Sequence, residues 1–156
     1  MDTEVVLFRK RDQVKASQKP RFLMNVVRIL PERRGAGGAG RLVMALLTHL
    51  PGYVDHRADL AGKGVDTVAC VSVNDAFVMG AWGREQKTGG KVRMLADGSA
   101  LWTKALGLEL DLIQRGMGVR SQRYSALIVD GVVKQLNVEG PGKFEVSDAA
   151  TLLSQV

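Results

Sequence analysis

Apolar positions along the chain fall into short blocks separated by glycine, proline and charge. Val5-Val6-Leu7-Phe8 is a continuous apolar block of strand length. Phe22–Leu30 fits a strand or a turn or two of helix, and Pro31-Glu32-Arg33-Arg34 breaks it. From His49 onward the pattern is regular. Pro51 suits the first turn of a helix, with Leu50, Val54, Ala58 and Ala61 on one face and Gly62 and Gly64 ending it. Val65–Val73 is almost continuously apolar, as in a parallel strand covered on both faces. Asn74 or Asp75 is placed to cap a helix running to about Lys87, with Phe77, Val78, Ala81 and Trp82 inward. Val92–Leu95 predicts a strand, and Ser99–Leu106 a short helix stopped by Gly107. Tyr124–Val129 and Val132–Leu136 flank Asp130-Gly131, a strong hairpin signal. Ser147 is placed to cap a last helix through Leu153.

The predicted order is strand, helix, strand, helix, strand, helix, hairpin, helix. Two crossover units followed by an antiparallel hairpin and a closing helix give the thioredoxin-like pattern. The expected class is therefore α/β, with a central mixed sheet flanked by helices. A chain of 156 residues suits one such domain.

Charge changes this picture at one place. The net charge is +6, yet residues 1–8 carry −2, residues 9–48 carry +8 and residues 49–156 are neutral. The whole basic excess lies in one segment that also holds Gly35-Ala36-Gly37-Gly38-Ala39-Gly40. Glycine costs most to order, so much of 9–40 is expected to be poorly ordered. The implied organisation is a first strand at 1–8, a divergent basic Gly/Arg-rich segment at 9–48, partly disordered, and a folded domain at 49–156. No stretch approaches the roughly 20 apolar residues of a membrane span. The single cysteine, Cys70, excludes an intramolecular disulfide and fits a reducing compartment, cytoplasmic with organelles not excluded. The two histidines, His49 and His56, suggest neither a metal cluster nor a Ser-His-Asp site, and no cofactor is implied.

Three pieces carry a resemblance. They are His49-Leu50-Pro51-Gly52-Tyr53, the long run Gly64–Trp82 around Val68-Ala69-Cys70-Val71-Ser72-Val73-Asn74-Asp75-Ala76-Phe77, and Gly118-Val119-Arg120-Ser121-Gln122-Arg123-Tyr124. Together they resemble the type II peroxiredoxins, the branch that includes peroxiredoxin five, over His49–Val156. The resemblance implies reduction of hydrogen peroxide and alkyl hydroperoxides, with glutathione, glutaredoxin or thioredoxin as reductant. In such enzymes a cysteine thiolate attacks the peroxide and becomes a sulfenic acid. The family places that cysteine in a Pro-Gly-x-x-(Thr/Ser)-x-x-Cys motif, four residues before the histidine. Here that position is Ala45, and Leu42 stands where the hydroxyl residue belongs. Neither the motif's proline nor its cysteine occurs in 9–48 in that arrangement. Arg123 matches the arginine that orients the peroxide.

The break in resemblance, the odd composition, the glycine tract and the charge share the same boundaries. They point to residues 9–48 as foreign to the domain, from a retained intron, a misread exon or a frame shift. The chain is expected to be inactive or strongly impaired as a peroxidase. The alternatives are a non-catalytic family member acting through dimerisation or regulation, and weak thiol activity from Cys70. Cys70 lies in an apolar strand, and burial both disfavours a thiolate and blocks access. Gly35, Gly37 and Gly40 spell G-x-G-x-x-G, and Leu42–Leu47 could open a helix after them. No strand leads into that motif and no acidic residue follows at the right distance, so a glycine-rich loop is preferred. Arg9-Lys10-Arg11 and Arg33-Arg34 would permit only weak, salt-dependent nucleic-acid or membrane binding, and Phe22 is the only aromatic there.

Overall fold

The computed structural model describes residues 41–45 and 50–156. The strand read at Val5–Phe8, the expected disorder of 9–40, the glycine motif, the basic clusters and His49 lie outside the described residues.

The core element is a five-stranded mixed sheet in the order β3-β2-β1-β6-β7. Its strands are β1 (Arg41–Ala45), β2 (Thr67–Ser72), β3 (Arg93–Ala96), β6 (Tyr124–Val129) and β7 (Val132–Val138). β1, β2 and β3 run parallel, whereas β6 and β7 are antiparallel additions. β2 is buried along almost its whole length, as its continuous apolar run predicts. The hairpin joining β6 to β7 turns at Asp130-Gly131, both with positive φ (50° and 74°). That is the backbone an Asp-Gly two-residue turn adopts.

Where the sequence allowed Leu42–Leu47 to open a helix after the glycine tract, the structure makes Arg41–Ala45 the strand β1. It is the middle strand of the sheet, bonded to β2 on one side and β6 on the other. Both its edges are therefore taken, and the slot is closed to any other strand.

Two short helices follow, α1 (Leu50–Asp55) and α2 (Arg57–Gly62). A break at His56 shifts the helical phase, so the expected face fails halfway. Leu50, Tyr53 and Leu60 are buried, while Ala58 and Ala61 are exposed. Gly64 (φ 82°) closes α2 in the left-handed region.

α3 (Ala76–Glu85) is capped by Asp75, whose Oδ1 accepts the Val78 N–H at 2.8 Å. Its inward face differs from the expected one. Met79 and Gly83 are buried, Trp82 is half-buried, and Phe77 (89 % exposed) and Val78 point outward. Gly83 explains the choice, because a Cβ there would lie 2.8 Å from Met94 Cγ on β3. The helix therefore approaches the sheet along its smallest residue.

α4 (Leu101–Ala105) starts two residues later than read. It is held by the buried Asp97, whose carboxylate accepts from the Trp102 and Thr103 amides and the Thr103 hydroxyl. A small hairpin of β4 (Glu109–Leu112) and β5 (Gly118–Ser121), absent from the sequence reading, follows it. The last helix, α5 (Ala149–Gln155), is capped by Asp148 rather than Ser147; the Asp148 side chain accepts the Thr151 N–H.

One apolar cluster on the sheet joins Val43, Leu50, Tyr53, Leu60, Cys70 and Leu152 beneath α1, α2 and α5. Strand alternation sends Ala69, Val71, Tyr124 and Ile128 into a second cluster with Trp102 of α4. The Trp102 Nε1–H donates to the Tyr124 hydroxyl at 2.8 Å, satisfying the polar ends of two buried rings. Burial holds both the Tyr53 and the Tyr124 phenol above the ordinary tyrosine value.

Candidate functional site

In open α/β sheets, ligands meet the molecule beyond the carboxyl ends of the parallel strands. In the sheet register Ala45 pairs with Ser125, so Arg123 stands two residues beyond the carboxyl end of β1. Arg120 serves the same end of the sheet. Its Nη1 donates to the Val73 carbonyl (2.6 Å) and Asn74 Oδ1 (3.1 Å), and its Nε to the Met117 carbonyl (2.8 Å). Arg120 therefore ties β5 to the end of β2 and has little freedom to meet a ligand.

Arg123 is held more loosely. Its Nη1 donates to the Lys143 carbonyl at 3.0 Å, and its guanidinium carbon lies 5.8 Å from the centroid of the half-exposed Phe144 ring. That is cation–π distance. No carboxylate among the described residues forms an ion pair with it. The guanidinium is a partly exposed positive charge beyond the carboxyl end of β1, suited to an anion or a polarisable oxygen.

The loop beneath it is organised by Glu139, at the end of β7. This carboxylate is 7 % exposed and accepts the amides of Glu145, Val146 and Ser147 and the Ser147 hydroxyl, at 2.8–3.0 Å. Burial pushes its pKa upward, but the Val146, Ser147 and Glu145 hydrogen bonds outweigh that and bring it down to about 2. Asp148 is likewise lowered: burial opposes ionisation, and the Thr151 hydroxyl and amide more than offset it.

Cys70 does not join this site. It is 0 % exposed, at the centre of β2, with Ala45 and Met94 as its register partners. Its surroundings are the apolar cluster under α1 and α5. Ala45, the position at which the resemblance expects the peroxidatic cysteine, is the last residue of strand β1 and not the first turn of a helix. Among the described residues, the first helix after it begins at Leu50. The structure thus brings Arg123 and Ala45 to one end of the sheet and leaves Cys70 inside it. His56 makes a local contact, its Nδ1 2.9 Å from Asp59 Oδ2 at the start of α2.

Sequence reasoning missed Glu139, Phe144 and Arg120. The Gly140-Pro141-Gly142 turn after Glu139 was a faint signal that the chain doubles back onto it.

With this geometry in place, known proteins provide the decisive comparison. The redoxin family profile matches residues 46–153. The chain belongs to the peroxiredoxin (redoxin) family. Its relatives include Peroxiredoxin-2B of Arabidopsis thaliana, 47 % identical over 107 residues, which cover 69 % of this chain and 66 % of that protein. They also include the chloroplastic Peroxiredoxin-2E of the same plant, 49 % identical, with 67 % of this chain and 46 % of that one covered. The chain therefore spans between about half and two thirds of the length of these curated relatives. Among solved structures, reduced Prx3 of Vibrio vulnificus in complex with H2O2 superposes with a TM-score of 0.70 at 49 % identity, covering 74 % of this chain and 78 % of that one. Peroxiredoxin 5 of Alvinella pompejana gives 0.65 at 33 % identity, with 76 % and 78 % covered. The redoxin match begins at Leu46, immediately after β1, and covers the described elements from α1 into α5. Among the described residues no helix is long and apolar enough to cross a membrane.

Proposed function

We propose that this chain is a peroxiredoxin-family domain that has kept the substrate-side arginine, Arg123, and lost the peroxidatic step. The observation that carries this reading is the position of Cys70, the chain's single thiol, wholly buried in the central sheet. The family reaction needs a thiolate to attack one peroxide oxygen. The S–O bond forms as the O–O bond breaks, leaving a sulfenic acid and a hydroxide that takes a proton. A thiol without solvent access cannot present itself to the peroxide. Arg123 would still attract a peroxide, with the chain's single thiol buried in the sheet. The reductants of the family, glutathione with glutaredoxin or thioredoxin, would then find no sulfenic acid to reduce. The reading fits a reducing compartment, cytoplasmic or organellar; two of the plant relatives are chloroplastic.

The test is peroxide-dependent oxidation of glutathione or thioredoxin by the purified chain. The unaltered protein and Cys70→Ser are expected to stay at the protein-free background. Ala45→Cys is expected to stay there too, because residue 45 lies in a strand and, among the described residues, the first helix after it begins only at Leu50. Turnover by the unaltered chain that disappears in Cys70→Ser would overturn the reading.

A second reading is a non-catalytic partner for another copy or another family member. It is favoured by Phe77 and Val78, which α3 turns outward next to its capped end.

A further inference from the structure

Arg123 has two contacts for its guanidinium among the described residues, the Lys143 carbonyl and the Phe144 ring. Both belong to the loop at 140–147. The place of the guanidinium is therefore set by whatever holds that loop. The turn at its start supplies one backbone bond, Lys143 N–H to the Gly140 carbonyl at 3.0 Å. The Lys143–Glu145 ion pair is exposed on both sides and contributes little. What closes the loop is Glu139: its Oε1 takes the amides of Glu145, Val146 and Ser147 and the Ser147 hydroxyl, while Oε2 shares the Glu145 amide. Its own N–H donates to the Arg123 carbonyl at 2.9 Å. One residue thus grips the backbone of Arg123 on one side and the loop that cradles the Arg123 side chain on the other.

We propose that Glu139 is the positioning residue for Arg123, fixing the guanidinium at the carboxyl end of β1 by closing the 140–147 loop beneath it. This rests on the reading of Arg123 as the retained functional group, but not on whether the chain turns peroxide over. Charge-assisted bonds from three successive amides are an unusually stiff clamp for a surface loop. An exposed arginine on a long side chain otherwise samples many rotamers. The clamp replaces that freedom with one platform of a carbonyl and a ring.

The experiment follows the Arg123 Nε–Hε resonance in the full chain by NMR, assigned by its loss in Arg123→Lys. It needs no activity, so its outcome is separate from that of the peroxidase assay. Glu139→Ala is expected to shift and broaden the Arg123 signal and to speed its hydrogen exchange at least about tenfold. Glu139→Gln keeps an acceptor oxygen and is expected to restore the signal most of the way. Ser147→Ala removes one donor to the clamp without touching the fold's apolar core. It is expected to give a smaller shift in the same direction, and it stands in should Glu139→Ala fail to fold. An Arg123 signal unchanged in Glu139→Ala, or in Ser147→Ala should Glu139→Ala fail to fold, while the 145–147 amides move, would overturn the proposal.

Discussion

A carboxylate that accepts several amide hydrogens is easier to ionise in the folded chain than in the unfolded one. Glu139 is such a group, with a folded value near 2 against an ordinary 4.5. Above about pH 4.5 both states are ionised and its contribution is fully present. Between 4.5 and 2 the unfolded chain binds a proton that the folded chain refuses, so acid favours unfolding. Urea unfolding at pH 7, 4.5 and 3 should therefore show little change from pH 7 to 4.5 and a fall in stability from pH 4.5 to 3. The fall should be shallower in Glu139→Gln, which has nothing to titrate there. An equal slope in both proteins would remove Glu139 from the account. At this scale the sequence was partly legible. The burial of Cys70 could be read from the apolar run around it, and the resemblance singled out Arg123, which the structure places beyond the carboxyl end of β1. Glu139 could not, because its partners sit six to eight residues further on and meet it only after the Gly140-Pro141-Gly142 turn.

From Leu50 onward the elements other than the β4–β5 hairpin were legible in their existence and less so in their facing. The caps show why: Asp75 was one of two candidates and holds α3, whereas Ser147 was read as a cap and instead donates to Glu139 while Asp148 caps α5. Both residues are N-cap formers, and only tertiary contact decides between neighbours. The face of α3 failed for a similar reason. Large apolar residues were taken as the inward stripe, but Gly83 is the point of closest approach. Gly83→Ala tests this. An alanine gains about 1 kcal/mol in helix propensity. Its Cβ meets Met94 Cγ at 2.8 Å and Thr88 Oγ1 at 3.3 Å, both in packed surroundings, and overpacking of this kind costs about 1–3 kcal/mol. The net expectation is destabilisation by about 1 kcal/mol, measured by thermal or urea unfolding. In a Met94→Ala background the same substitution should become neutral or stabilising, since the clash is gone. Destabilisation of the same size in both backgrounds would show that contact with Met94 is not the cause.

The whole molecule poses a competition for one slot. The sheet needs a strand between β2 and β6, and both Val5-Val6-Leu7-Phe8 and Arg41-Leu42-Val43-Met44-Ala45 have the apolar character for it. The resemblance favoured the first, which stands ahead of the family's motif; the structure fills the place with the second, paired on both sides. A parallel strand and an antiparallel strand cannot both be satisfied by more than one segment at that position. The rest of the domain, from Leu50 onward, packs on the slot without recording which segment fills it, and this is why pattern reading alone could not choose. The choice is open to a direct test, because Val43 is wholly buried in the core cluster beside Leu50 and Cys70. An aspartate there would bury an unpaired charge. Val43→Asp is therefore expected to cost more than about 3 kcal/mol or to abolish cooperative unfolding. Val6→Asp, placed in the competing segment, is expected to change stability by less than about 0.5 kcal/mol. The reverse ranking, measured by urea unfolding of the two full-length variants, would give the slot to Val5–Phe8. It would also return the family's first strand to its expected place, with 9–48 as an insertion behind it.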